Sequence, residues 1–171
     1  MGEAKPGVVL GVMVNEAYRG WSAPSWLHEV TCGLLEAVDP RHLRGLRAVV
    51  LTNRLALTGE RKRAKVWWRS RKVRIVDSLG LYHHATPCQG AWIELMADGV
   101  VAGAPQWAWS FSIIRDGLLA HTLYHEVGHH IHDFGRCSSS CSSSTMCLTF
   151  SGFSSSPPCF CTGHGSSRGS D

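Results

Sequence analysis

The stretch Leu118-Leu119-Ala120-His121-Thr122-Leu123-Tyr124-His125-Glu126-Val127-Gly128-His129-His130-Ile131-His132-Asp133-Phe134-Gly135 decides how the rest of the chain is read. Leu119, Leu123, Val127, Ile131 and Phe134 recur at steps of three and four residues, the period of a helix with one apolar face turned to a core. His125 and His129 lie on another face, separated by about 40° of rotation and about 6 Å of rise, so their ring nitrogens can reach one zinc ion at about 2.0–2.1 Å. Glu126 is turned about 100° from His125, away from ligation and toward water that such an ion would activate. The expected chemistry is metal-assisted hydrolysis, most naturally of a peptide bond, with His125 and His129 as ligands and Glu126 as general base. The plain alternative is a pair of exposed helix histidines, against which Glu126 and the apolar flanks count. Gly128 gives up about 1 kcal/mol of helix propensity relative to Ala, which predicts close approach of another backbone there. Gly135 is placed to end the helix.

With its apolar and uncharged neighbours Thr122, Leu123, Val127, Gly128 and Ile131, the H-E-x-x-H stretch resembles the zincin metallopeptidases over about 20 to 30 residues. In size and in the His-rich helix, the compact intracellular groups of gluzincin type, such as the ImmA/IrrE-like and lethal-factor-like ones, look closest. The resemblance implies an α+β fold of zincin type, a small twisted sheet packed on a long metal helix, with Zn2+ as cofactor and a peptide or protein as substrate. In gluzincin-type families a later helix supplies a Glu as third ligand, and no Glu follows Glu126 here. The long metzincin form is absent too, since His132 stands where it has Gly and Gly135 where it has His. His132 shares the face of His125 but sits about 10 Å further along the axis, too far for one ion on a straight helix. Asp133, His164 and the downstream cysteines, or His83 and His84 upstream, are the remaining donors. An inactive zinc-binding regulatory protein is therefore an alternative to an active peptidase.

The resemblance also implies an exposed sheet edge beside the metal that receives substrate as an added strand. Ala91-Trp92-Ile93-Glu94-Leu95, the last strand expected before the metal helix, is the candidate, with Trp92 and Ile93 as substrate-binding residues. An ordinary strand with Trp92 in the core is the other reading. Tyr124, next to the motif, is a candidate for substrate or oxyanion contact, or for packing near the sheet. His121 and His130 lie off the ligand face.

Length and composition bound the rest. A chain of 171 residues with 44% hydrophobic content and seven Trp can bury one sizeable core, read as a domain over 1–135 followed by a low-complexity tail over 136–171. That tail holds three Ser-Ser-Ser runs and Cys137, Cys141, Cys147, Cys159 and Cys161, and disorder is expected of it. Its abrupt onset is what a shifted frame or alternative end replacing the true C-terminal part would produce. A second zinc site from those cysteines and His164 matches no familiar finger spacing, and incidental thiols are the simpler reading. No stretch approaches the roughly 20 apolar residues of a membrane span, and residues 8–14 read as a strand rather than a signal peptide, so a cytoplasmic protein is expected. Residues 61–74 hold eight of the 17 Lys and Arg residues around Trp67 and Trp68. That segment is either a nucleic-acid-binding patch running from Arg61 to Arg74 or a solvated hairpin, and a net charge of +4 favours neither. Periodicity predicts strands over 8–14, 48–52, 73–77 and 91–96, with 66–68 a weaker one. It also predicts a helix over 25–38 with Trp26, Val30, Leu34 and Val38 as its stripe, and a long helix from 109–113 to 134.

Overall fold

The computed structural model describes residues 7–68, 71–86 and 88–140. The chain opens with a hairpin, β1 (Gly7–Val9) and β2 (Val12–Ala17), where one strand over 8–14 is expected from the sequence. Leu10 and Gly11 take φ of 50° and 85°, both left-handed, and close a two-residue turn. An apolar leucine in that position hides the turn from a hydropathy reading.

Helix α1 (Trp26–Glu36) follows, and it buries Leu27, Thr31 and Leu35. The expected stripe of Trp26, Val30, Leu34 and Val38 lies one residue over and packs partly buried against the core. Two apolar stripes run side by side on this helix, and the sheet takes the slimmer one, while Trp26 stacks on Trp109 with ring centroids 5.6 Å apart. Then come β3 (Leu46–Thr52), the short α2 (Gly59–Arg63) and the hairpin of β4 (Lys65–Trp68) with β5 (Arg71–Arg74). The strand expected over 73–77 stops at Arg74, because Ile75 turns into a 3-10 segment and packs with Leu57 and Met96. The last part runs through β6 (Gly80–His83), β7 (Ala91–Met96), α3 (Ala97–Ala102) and α4 (Ser112–Ser140). Helix α4 continues past Gly135, and the rest of the proposed tail, 141–171, lies outside the described residues.

The protein is thus a mixed α+β structure. Its five-stranded sheet has the order β1-β2-β3-β7-β6, with β2, β3 and β7 parallel and the two outer strands antiparallel to their neighbours. Alternation along the strands sends Val12, Val14, Val49, Leu51, Ile93 and Leu95 to one face. There they meet Leu27 and Leu35 of α1 and Leu119, Leu123 and Val127 of α4. Each such side chain, fully buried, stabilises the fold by about 1.5–3 kcal/mol. Ile131 and Phe134, expected on the same stripe, stay 38% and 39% exposed. No helix among the described residues is long and apolar enough to cross a membrane.

The opposite face carries Met13, Asn15, Val50, Thr52, Trp92 and Glu94 along a groove of about 440 Å³. Glu94 is buried there, yet its carboxylate accepts from Arg61 Nη2 at 2.5 Å and His83 Nε2 at 3.1 Å. Burial alone would raise its pKa, but the bonds from His83 and Arg61 outweigh that effect and hold it below the ordinary value. A lowered carboxylate adds stability above its unfolded pKa of about 4.3, and that stability is lost as pH falls through the lowered value. Glu94→Gln is accordingly expected to cost about 1–3 kcal/mol near neutral pH, and thermal melts of the two proteins should draw together as pH falls through the lowered value.

Candidate metal centre

Strand β6 lies along α4 and shapes the site. Gly80 has no side chain, and a Cβ built there would stand 2.8 Å from Glu126 Cγ and 2.9 Å from its Oε1. The glycine required by close approach is therefore on the strand. At Gly128, where the sequence suggests one, an added Cβ meets nothing within 4 Å. The main chain of Tyr82 hydrogen-bonds the Glu126 carboxylate, which is otherwise buried. Burial pushes the Glu126 pKa up to about 7, with the Tyr82 bond acting in the opposite direction.

His125 and His129 sit beside this carboxylate on the exposed flank of α4, with ring centroids 4.9 Å apart and planes at 89°. Two imidazoles sharing one tetrahedral zinc at about 2.0–2.1 Å have centroids about 5 Å apart, a spacing that this pair matches. Burial, then the neighbouring His125, His132 and His84, lower the pKa of His129 and favour the neutral ring that a metal requires. Among the described residues, no three His, Cys, Asp or Glu side chains are gathered so as to hold an ion.

Behind the pair runs a polar chain that the sequence did not suggest. His130 is buried, and its Nε2 donates to the Arg44 carbonyl at 3.0 Å. Burial lowers its pKa, so the ring is neutral and Nδ1 is an acceptor 3.3 Å from the Tyr82 hydroxyl. That hydroxyl has one proton, and the nearer acceptor is Asp133 Oδ2 at 3.0 Å. Asp133 also takes a bond from His84 Nδ1 at 2.9 Å, the first cause of its lowered pKa. The i, i+4 and i+7 spacing of Glu126, His130 and Asp133 was the signal available for this chain, since it puts all three on one helix face.

Three sequence-derived assignments change. Strand β7 is paired with β3 on one side and β6 on the other, so its main chain offers no free edge. Ile93 is wholly inside the core, and Trp92 stacks on His83 at 3.7 Å on the outer face of the sheet. Neither is placed to meet substrate at the metal helix, and the edge beside Glu126 is β6. Tyr124 is 40% exposed and its hydroxyl donates to the Leu34 carbonyl at 3.1 Å, tying α4 to α1. In the basic segment, Arg61 is bound to Glu94 and Arg74 to Asp77, while the side chains of Trp67 and Trp68 lie outside the described part. No family model matches the chain, and neither does any curated protein or solved structure.

Two outcomes follow from the Glu126 pocket. A carboxyl whose folded pKa is raised to about 7 costs stability as it ionises, fully above that value and not at all well below about 4.3. In chelator-treated protein, Glu126→Gln should thus be more stable than wild type by about 3–4 kcal/mol at alkaline pH, with the gain vanishing in acid; urea titrations at several pH values measure it. Gly80→Ala should destabilise by about 1–3 kcal/mol in the same titrations, because the new methyl must displace Glu126.

Proposed function

We propose that the chain is a zinc-dependent hydrolase of peptide bonds, with a zincin-like arrangement in which β6 lies over the metal helix. The observation that carries this reading is a buried carboxylate, Glu126, held by a strand N–H beside two exposed imidazoles whose separation of 4.9 Å suits one ion. His125 and His129 are the ligands and Glu126 is the general base. Zinc bound there would polarise a carbonyl and bring the pKa of water toward about 7. Glu126, kept off the metal by its rotation on the helix, accepts the proton of the attacking water and returns it to the departing amine. Tyr82, through its main chain, keeps the carboxylate aimed during both transfers. An extended peptide suits the site because β6 is an edge strand, so its outward main-chain groups other than the Tyr82 N–H bound to Glu126 can pair with substrate without demanding particular side chains.

Purified protein should contain stoichiometric zinc and cleave an unfolded protein substrate. Glu126→Gln is expected to keep the zinc and lose about 100-fold or more of the rate, and His129→Ala to lose the zinc itself. Protein that stays metal-free in excess zinc, or cleavage indifferent to Glu126→Gln, overturns the reading. Zinc without hydrolysis would mark a binding or regulatory protein.

A further inference from the structure

A hydrolytic zinc ordinarily has three protein ligands, and α4 supplies two. We infer that His84 is the third protein ligand of the ion held by His125 and His129, binding through Nε2 with Asp133 as its orienting carboxylate. This inference rests on the zinc reading above and adds a ligand from the edge strand.

His84 directly follows β6, the strand that covers Glu126. By strand alternation it belongs with Gly80 and Tyr82, the residues facing α4. Its Nδ1 is 2.9 Å from Asp133 Oδ2, and Asp133 comes four residues after His129, one turn along α4. An ionised carboxylate only accepts, so the shared proton is on Nδ1 and the lone pair of a neutral ring is on Nε2. A carboxylate behind a histidine that points its other nitrogen outward is the support that metal-bound imidazoles receive.

Other donors fare worse. Asp133 is already engaged by His84 and Tyr82, and His132 is about 10 Å along the axis from His125. The three rings are not gathered around one point among the described residues. His84 is 71% accessible, so its ring can change rotamer without disturbing core packing.

Zinc affinity of the full chain, measured by competition with a chromophoric chelator, tests the assignment alongside the visible spectrum of the cobalt-substituted protein. His84→Ala is expected to weaken zinc about 100-fold or more and to alter the cobalt bands. Asp133→Asn should weaken it about 10–100-fold, and His121→Ala should leave it unchanged. Melting of chelator-treated His84→Ala should match wild type, separating lost ligation from lost folding. Unchanged zinc affinity and cobalt bands in His84→Ala, with zinc lost in His129→Ala, overturn the inference and leave the zinc reading standing. Wild-type protein that takes up no zinc overturns both.

Discussion

The contact of β6 on α4 is the constraint on which the rest depends. A helix advances about 6 Å from Glu126 to His130, and an extended strand advances nearly the same from Gly80 to Tyr82. Helix and strand can therefore meet at successive levels. At the first level Gly80 makes room for the Glu126 side chain, and at the next Tyr82 reaches His130 and Asp133. His130 carries the connection on to Arg44 in the turn before β3. A side chain at Gly80 would break this series at its start, by pushing away the carboxylate that the site is built around.

Two buried glutamates on opposite faces of one sheet show how surroundings divide a residue type into two kinds of chemistry. Glu94, on the outer face, is surrounded by His83 and Arg61 and is held as a carboxylate, suited to joining α2, β6 and β7. Glu126, on the inner face, has a main-chain hydrogen bond from Tyr82 and no cation among the causes of its shift, and burial brings its pKa to about 7. A group poised there can both take and give a proton near neutrality.

The parts of the fold legible in the sequence are those whose side chains repeat a simple period. Leu119, Leu123 and Val127 marked the buried face of α4, and the run before Met96 marked β7, as their burial bears out. Where one residue does two jobs, the period fails. Leu10 is apolar yet occupies a left-handed turn position, so one strand was expected where a hairpin forms. Strand β6, only Gly80–His83, is too short to show alternation and begins with a glycine. Without it, β7 looked like the last strand in space as well as in sequence, and Trp92 and Ile93 were assigned to an edge they do not form.

What the sequence by itself determined was local: a long amphipathic helix, an α+β class, and two histidines and a glutamate at a spacing that the helix repeat converts into shared orientation. The tertiary structure decided which strand lies over that helix, that Glu126 is buried with an altered proton affinity, and that Tyr82, Asp133 and His84 are joined by hydrogen bonds with His130 beside them. The physical reason is range. Helical orientation depends on residues a few positions apart. Burial and partner choice depend on groups such as Tyr82 and Asp133, which are distant in the chain and are brought together only by packing of the sheet on α4.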